Sequence, residues 1–493
     1  MRHKKRPHID NMRLSLPHPV PEFLRKYGVL LVCILAGITV GAASILINPL
    51  YLLAGVGAAL IGLWFVRSLD RALLALILII SLLPRFALPA RLAGFTPTLL
   101  DLAIIAVLIT WRVSKTPLPV PRLTLTVPLI CLIVVAIATF IVGLPNGALT
   151  PLVIRRFAEL LLSFGMVWVL AAALRAPAAQ TRWLRIAVLA GALSAAIGIA
   201  LYVIPDVLAM NLLSALRPFG YPDGPGVLRY IQDNPELSQR ATGLWIDPNA
   251  FGGYLLITAA LALPQVFTKA PIMRRTLVVL CVGVIGLALV LTVSRGAMLG
   301  FVTIAVLMGV LKYRRMLPLM VLVLILALIL PQTRALMLHF ADGFAGRDQA
   351  TLMRFGEYKD ALRLIERYPL LGVGFIDTPD IDLYIGVSSM YLLIAQQMGL
   401  LGLSAFALVL LVLFARAIQR WRTVQTDEGA SAIFLGAHSA VLGALLSGIF
   451  DHYFFNIDFH TSAMLLWAMI ALAAVSGDQR MNGHESADPL VIR

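Results

Sequence analysis

The stretch 276–311 reads TLVVLCVGVIGLALVLTVSRGAMLGFVTIAVLMGVL and contains one charged side chain, that of Arg295. Two apolar runs, 276–293 and 296–311, meet at this residue with almost no loop between them. An α-helix needs about 20 apolar residues to cross a bilayer, and each run comes close to that length. The stretch therefore predicts two membrane-spanning helices joined by a tight turn.

The whole chain shares this composition. Of its 493 residues, 60% are hydrophobic and 13% are charged, whereas an ordinary soluble domain has about 25% charged residues. The mean hydropathy is +0.90. A soluble fold could not bury so much apolar surface, and disorder requires the opposite composition. These values exclude soluble, fibrous and disordered proteins, and they predict an all-α polytopic transmembrane helix bundle.

Fourteen apolar runs are candidate spans. The third and fourth are short and are flanked by Pro84, Pro89 and Pro97, so they form either two spans or one broken or re-entrant pair. We therefore expect about 12–14 spans. The runs lie at 27–47, 49–66, 71–84, 97–111, 124–142, 151–174, 183–204, 249–267, 276–293, 296–311, 316–331, 388–415, 431–449 and 460–476.

The placement of charge predicts the topology. The net charge of +15 comes from 40 Lys and Arg against 25 Asp and Glu, and these residues lie between the apolar runs, so we expect no nucleic-acid partner. With the N-terminus inside, every short inner loop carries two or three basic residues, as the positive-inside rule requires. The organisation predicted is two cytoplasmic tails, 1–26 and 477–493, a transmembrane bundle, 27–476, and two long external segments, 205–248 and 332–387.

The second external segment contains an amphipathic pattern. Phe355, Tyr358, Leu362 and Ile365 recur at spacings of three and four, with charged residues between them. This spacing is typical of an amphipathic helix. We expect it to lie along the outer membrane surface, with its apolar stripe toward lipid or toward the bundle.

Three polar residues near the outer ends of spans are candidates for binding. Arg295 either faces a cavity or partner, because a charge between two spans is costly, or anchors the helix at the interface. Asn249 follows Asp247-Pro248 and either caps the eighth span or binds a ligand. Arg240 is either a solvated loop charge or a fork for phosphate or carboxylate.

Further arginines point to the same external face. Arg155 and Glu159 are one turn apart and can form an intrahelical ion pair. This pair leaves Arg156 over, as an arginine that the ion pair does not explain. The three cysteines all lie in apolar runs, so neither a disulfide framework nor a zinc site is expected. Several outward arginines without a His or carboxylate cluster favour an anion-binding site that uses no metal and no cofactor.

Four motifs in order resemble those of the O-antigen ligase and polymerase superfamily. They are RATGLWIDPNAFGGY at 240–254, SRGA at 294–297, Arg354 followed by YPLLGVGF at 368–375, and Ser388-Ser389 followed by nine residues and GLLG at 399–402. The resemblance covers about residues 235–415. It implies a membrane glycosyltransferase that is inverting and metal-independent, with polymerase favoured over ligase.

The resemblance also implies substrates and location. The donor is a polyprenyl-pyrophosphate-linked glycan, the acceptor is a glycan or lipid-glycan, and a chain-length regulator or flippase is a further partner, besides membrane lipids. The site faces the outside of a bacterial cytoplasmic membrane, where Arg240 and Arg295, with Arg354 or Arg156, would neutralise the departing pyrophosphate. A non-catalytic or transport subunit of a polysaccharide export system is the alternative.

Ser388 departs from the superfamily pattern, because it stands where a proposed catalytic histidine would be. Serine is no base near neutral pH without help. Either another group takes the acceptor proton, or the histidine of the superfamily only positions the substrate, or this chain is a specialised or inactive branch. His452, beside Asp451 in the outer connection between the last two spans, is the substitute proposed here. That aromatic loop is also typical of an interfacial belt. His460 and Glu357 are weaker candidates.

Overall fold

The computed structural model describes residues 57, 60–89, 94–113, 121–329, 349–376 and 386–477. Outside these residues lie the predicted span at 27–47, most of that at 49–66, the predicted tails except residue 477, and parts of the external segment 332–387. Contacts divide the chain at residue 64, and the helix bundle belongs to the unit from residue 65 onward.

Helices dominate the described residues, and they confirm the all-α polytopic fold predicted from the sequence. Seven of the described helices are long and apolar enough to cross a membrane, and α8 and α9 are shorter apolar helices of 17 residues each. The helices are α1 (Leu69–Leu82), α2 (Leu99–Val113), α3 (Thr126–Val142), α4 (Pro151–Ala173), α5 (Pro177–Val203), α6 (Asp206–Ser214), α7 (Pro248–Phe267), α8 (Arg275–Leu291), α9 (Arg295–Leu311), α10 (Met316–Ile329), α11 (Gln349–Arg367), α12 (Met390–Val424), α13 (Glu428–Ser447) and α14 (His460–Val475).

Three helices form the centre of the bundle. In α7, 83% of the residues in its most apolar 18-residue stretch are buried. The share is 78% in α13 and also in the candidate span Ile457–Val475, which contains α14. Such all-round burial explains why these helices are apolar on every face. The helices α8, α9 and α13 pack directly against α7, and α4 packs against α14. The starts of α7 and α9 and the end of α13 therefore meet at one end of the bundle.

The two short runs flanked by proline form α1 and α2, of 14 and 15 residues. Both fall short of the roughly 20 residues that a span needs. They pack against each other, and the chain between them is joined by an isolated bridge between Ala87 and Thr98. Prolines lack the N–H that a continuous helix needs, which explains the interruption.

The amphipathic helix predicted in the second external segment is α11, but its stripe is split between two faces. Phe355 is 57% exposed and Leu362 is 50% exposed. The buried face is formed by Ala361 and Leu364, and Ala361 packs in a cluster with Val387, which precedes α12. Tyr358 of the predicted stripe packs against the same cluster, so the stripe coincides with the buried face only in part.

Two of the four sequence motifs pack against each other. The N–H groups of Val373 and Gly374 donate to the carbonyl oxygens of Gln396 and Gln397, both across 2.9 Å. The N–H of Leu400 donates in return to Pro369 O across 2.8 Å. These bonds join the chain after α11 to a break in α12.

The break in α12 lies at Gly399, where φ is +64° and ψ is −172°. A Cβ at this position would overlap the carbonyl oxygen of Leu370. Only glycine combines that backbone conformation with so close an approach. The GLLG motif therefore has a structural role in the bundle.

The segment 205–248, which is predicted to be external, contains α6, several short 3₁₀ helices and a small hairpin. The hairpin pairs β1 (Arg229–Tyr230) with β2 (Gln239–Arg240), and Arg229 is opposite Arg240. Directly after β2, the N–H of Ala241 donates to Leu291 O across 2.8 Å. The segment thus returns to the bundle at the turn between α8 and α9.

Candidate functional site

Arg240 is held by two neighbouring helices. Its Nε donates to the carbonyl oxygen of Thr292 across 2.9 Å, and its Nη2 donates to Oδ1 of Asn249 across 2.6 Å. Thr292 ends α8, three residues before Arg295, and Asn249 lies in the first turn of α7. Arg240, Asn249 and the turn that carries Arg295 therefore form one cluster, and Arg240 is not a solvated loop charge.

Asp247, and not Asn249, caps α7. Its Oδ1 accepts hydrogen bonds of 2.8 Å from the N–H groups of both Asn249 and Ala250. The alternative in which Asn249 serves as the cap is therefore wrong, because its side-chain oxygen accepts from Arg240 instead. The helix cap, Asp247, and the hydrogen-bond partner of Arg240, Asn249, are therefore two different residues of the same turn.

The backbone is strained just before both helix starts at this site. Ile246 has φ +66° and Val293 has φ +52°. Branched side chains rarely adopt positive φ, and such residues persist where the surrounding structure fixes them, often at functional sites. The two strained residues precede the cap Asp247 and the Ser294-Arg295 turn. The surrounding structure therefore holds the backbone of both turns in a conformation that costs energy.

The start of α9 packs closely on the end of α13. A Cβ at Gly296 would lie 3.3 Å from Ser447 O and 3.2 Å from Cβ of Phe450. On the other side of the same turn, a Cβ at Gly252 would lie 2.9 Å from Cβ of Ser294. Small residues therefore bring the Arg295 turn against both α7 and the loop after α13.

The loop 448–459 carries Asp451 and His452. The N–H of His452 donates to Oδ1 of Asp451 across 2.8 Å, and Nδ1 of the same ring lies 3.3 Å from that oxygen. The side chain of Asp451 is 13% exposed and that of His452 is 23% exposed. Although the side chains of adjacent residues rarely face each other, the Asp451 carboxylate here accepts from the His452 backbone and lies close to its imidazole.

Electrostatics link this loop to the arginines. Burial raises the pKa of Asp451 above its usual value, with His452 and Arg354 opposing the rise and Asp247 adding to it. Burial likewise lowers the pKa of Arg240 to about 10, with Asp247 and Asp451 opposing and Arg354 adding to the fall. Arg240 therefore keeps its positive charge at neutral pH.

Tyr453 fixes the loop on the bundle. Its hydroxyl lies 2.6 Å from Oγ of Ser447, and a Cβ at Gly253 would overlap its ring. The ring is 1% exposed. Tyr453 thus holds the neighbouring Asp451 and His452 in place above α7.

Ser388 lies beside the same loop. Its N–H donates to Oε2 of Glu357 across 2.8 Å, and its carbonyl oxygen accepts from the Tyr358 hydroxyl across 3.0 Å. Two residues later, the N–H of Met390 lies 3.0 Å from Asp451 O. The structure therefore brings together the start of α12, helix α11 and the Asp451 loop.

Arg156 lies apart from the main cluster. It pairs with Asp458, so the expectation that it is left over is wrong. Arg155 forms the predicted ion pair with Glu159 at 2.8 Å, and a second with Asp101 at 3.2 Å. Arg156 shares its electrostatic surroundings with Arg85, which also interacts with Asp247 and Asp458.

Sequence reasoning missed several members of the site. The sequence indicates Asp247 only as part of a helix start and Tyr358 only as part of an apolar stripe. Tyr453 and Arg85 carry no motif at all. The signals in the sequence are the Asp-Pro helix start and, for Arg85, a basic residue in a connection that the loop charges predict to be external. Within the described residues, no three His, Cys, Asp or Glu side chains are grouped so that they could hold a metal ion.

Comparisons with known proteins support the resemblance over part of the chain. No curated protein matches the sequence. The family model described as O-antigen ligase matches residues 277–407, a range that contains Arg295, Arg354 and Ser388 but neither Arg240 nor the Asp451 loop. Over these residues the chain is similar to the O-antigen ligases, which confirms the resemblance to the O-antigen ligase and polymerase superfamily.

Proposed function

We propose that this protein is an inverting, metal-independent glycosyltransferase that joins polyprenyl-pyrophosphate-linked glycans on the outer face of the bacterial cytoplasmic membrane. The observation that carries the proposal is the fixed guanidinium of Arg240, which is held between Thr292 O and Asn249 Oδ1 beside the Arg295 turn. A planar fork in a fixed orientation suits a diphosphate better than a mobile point charge does.

The donor's diphosphate would bind at Arg240 and Arg295. As the bond between the anomeric carbon and the phosphate oxygen breaks, negative charge grows on the leaving diphosphate. Arginines that are already in place stabilise this charge without reorganising, and such stabilisation is often the largest contribution to catalysis. Arg354, which interacts electrostatically with Asp451 and Arg240, would add a third positive charge. Arg156 is a less direct helper, since it already pairs with Asp458.

The acceptor hydroxyl would be deprotonated by His452. Its oxygen forms the new bond to the anomeric carbon on the face opposite the leaving group, and the proton passes to the imidazole. The backbone bond from His452 to Asp451 and the anchoring of Tyr453 would keep the imidazole in position. The Ser388 side chain would hydrogen-bond the acceptor without taking the proton. We favour repeated transfer, as in a polymerase, over a single ligation.

The test is glycan transfer by the purified protein from a defined lipid-linked donor. Arg240→Lys and Arg295→Lys should each lose at least about tenfold in rate, since a point charge does not replace the fork. Arg217→Lys is the matched control in the same external segment, because that side chain is 72% exposed. Its rate should stay within about twofold of the original.

The pattern of products and the activity of the unmodified protein separate the alternatives. A ladder of products indicates a polymerase, whereas one transferred glycan per acceptor indicates a ligase. If the unmodified protein shows no transfer with any lipid-linked donor but binds the donor, the non-catalytic subunit replaces this proposal. Full activity of Arg240→Lys at normal protein level would remove the diphosphate role from Arg240.

A further inference from the structure

Arg85 is a half-buried arginine to which the proposed function gives no role. It lies in the connection between α1 and α2, and its guanidinium carbon is 5.3 Å from the centre of the Phe459 ring. Within the described residues, it forms neither a hydrogen bond nor an ion pair. Only Arg354 shares this combination among the arginines that the structure describes, and Arg354 is already assigned to the diphosphate. Because a buried guanidinium without acceptors is unfavourable, the N–H groups of Arg85 are left for a ligand.

The chain on both sides of Arg85 is held in place. Before it, the carbonyl oxygen of Pro84 accepts a hydrogen bond of 2.6 Å from Oγ1 of Thr461, in the first turn of α14. After it, the N–H of Ala87 donates to Phe219 O across 2.9 Å. The connection is thus fixed to α14 on one side and to the segment 205–248 on the other, and the position of Arg85 is fixed with it.

The ring of Phe459 joins Arg85 to the proposed base. The imidazole of His452 packs edge-on against this ring, with 5.5 Å between the ring centres and an angle of 86° between the planes. The guanidinium of Arg85 contacts the same ring as a cation–π partner. A disaccharide is long enough to contact both groups. A ligand that binds the free N–H groups of Arg85 therefore lies next to His452.

Two carboxylates lie near Arg85 without bonding to it. Burial lowers the pKa of Arg85, whereas Asp247 and Asp458 oppose the fall and Arg156 adds to it. One oxygen of Asp247 accepts from two N–H groups of α7, and one oxygen of Asp458 is paired with Arg156. The second oxygen of each carboxylate accepts no hydrogen bond from the described residues. Unused donors and unused acceptors therefore stand side by side.

This combination suits a neutral sugar. The guanidinium offers only N–H donors and a carboxylate oxygen only accepts, whereas each sugar hydroxyl both donates and accepts. Neighbouring hydroxyls can therefore join Arg85 to a carboxylate. The formal charges of Arg85, Arg156, Asp247 and Asp458 cancel, so a phosphate here would meet two carboxylates with no excess of positive charge. The charge balance thus favours a glycan over a second phosphate.

The group is accessible from one side. The side chain of Asp458 is 48% exposed and that of Arg156 is 34% exposed. Arg85 and Asp247 lie deeper, and both are half-buried. A glycan can therefore reach Arg85 past Asp458 without any movement of the helices.

We propose that Arg85, together with Asp247 and Asp458, binds hydroxyl groups of the acceptor's terminal sugar beside His452. This inference rests on the proposed function, because it adds the acceptor site to the reaction and keeps Arg240 and Arg295 for the donor diphosphate. No bond is made or broken at Arg85. Its role is to hold the acceptor, and a site built to bond hydroxyls selects strongly against analogues that lack them.

The experiment compares two probes on the full chain in detergent. One is the repeat-unit oligosaccharide released from the host's surface polysaccharide and freed of its lipid carrier, followed by saturation-transfer difference NMR. The other is inorganic pyrophosphate, followed by phosphorus NMR. Arg85→Gln should weaken binding of the oligosaccharide by at least about tenfold, because a hydrogen-bonded charged group is lost. Its pyrophosphate binding should stay within about twofold. Arg240→Gln should show the reverse pattern.

Arg217→Gln is the matched control. Arg217 lies two residues before Phe219, but its side chain is 72% exposed and pairs with Asp223 at 2.7 Å. Binding of both probes should be unchanged in this variant. Circular dichroism checks that each variant is folded. Should Arg85→Gln fail to fold, Arg85→Lys keeps the charge without the planar fork and should still weaken oligosaccharide binding several-fold.

Four results would overturn the sugar site. They are undetectable oligosaccharide binding by the unmodified protein, unchanged oligosaccharide binding in Arg85→Gln, equal weakening in the Arg217→Gln control, and loss of pyrophosphate instead of the oligosaccharide. The last would assign Arg85 to a second anion. Failure of the proposed function has a different signature, since a protein that transfers no glycan but binds the oligosaccharide through Arg85 would refute the transfer reaction and support the sugar site.

Discussion

The backbone N–H of Met390 donates a hydrogen bond to the carbonyl oxygen of Asp451 across 3.0 Å. This bond joins the Ser388-Ser389 turn to the Asp451-His452 loop, although the two are far apart in sequence. It holds the chain next to Ser388 close to the loop that carries His452, the two residues to which the proposed function gives the acceptor.

Asp451→Asn should slow transfer and should not reduce stability. Burial raises the pKa of the carboxyl, so the ionised form is disfavoured in the folded protein. Its unfavourable contribution is absent in acid and grows as pH rises above the ordinary value of 3.8. The gain in thermal midpoint from the substitution should therefore be near zero at the acid end and larger at neutral pH.

The matched control is Asp233→Asn, since the Asp233 side chain is 77% exposed. Thermal unfolding in detergent at several pH values, followed by near-ultraviolet circular dichroism, measures both proteins. A midpoint that falls at neutral pH in Asp451→Asn, but not in Asp233→Asn, would show that the ionised carboxylate stabilises the loop.

Gly399→Ala should destabilise the bundle strongly. A Cβ there would overlap Leu370 O, and the positive φ adds strain for any other residue. We expect a loss of more than about 2 kcal/mol. Gly283→Ala is the control, because its Cβ would meet no atom within 4 Å in a regular helix. There the gain in helix propensity should raise stability by up to about 1 kcal/mol.

The topology predicted from loop charges places the hairpin outside and the connection between α7 and α8 inside. In a variant without native cysteines, Glu236→Cys should react with a membrane-impermeant thiol reagent added to intact cells, and Ala270→Cys should not. Both side chains are exposed in the structure, so access is limited by the membrane alone. The opposite labelling pattern would reverse the topology and would place the arginine cluster on the cytoplasmic side.

Hydropathy and helix-start signals predicted much of the architecture from the sequence. The tight turn at Arg295 and the start of α7 at Asp247-Pro248 both depend on local chemistry, which sequence patterns report well. The faces of α11 were harder to predict, because Leu362, which is exposed, and Leu364, which is buried, have the same hydropathy, and only the packing of the helix decides between them.

Long-range partners in the site could not be predicted. The bond from Arg240 to Thr292 and the ion pair from Arg156 to Asp458 join residues whose proximity depends on how whole helices pack. Asn249 illustrates the same limit within one turn. Its residue type permits either a cap or an arginine partner, and only the position of Arg240 decides between them.

The group that takes the acceptor proton is the sharpest question for mutation. His452→Ala should lower the transfer rate by about 10²-fold or more, because a positioned base contributes that much. Ser388→Ala should cost much less, since a hydroxyl that only binds the acceptor is removed. The backbone bonds of Ser388 to Glu357 and Tyr358 do not depend on its side chain, so the fold should tolerate this change.

Ser388→His is the decisive companion, since the superfamily pattern has histidine at this position. If His452 is the base, the added imidazole should leave the rate of the original protein nearly unchanged. It should partly restore transfer in the His452→Ala background, because the link between Met390 and Asp451 holds the chain next to position 388 close to the loop that carries residue 452. The rate is measured across pH with a saturating lipid-linked donor. A nearly silent His452→Ala would exclude His452 as the base, and a faster Ser388→His alone would identify position 388 as the weakened catalytic position.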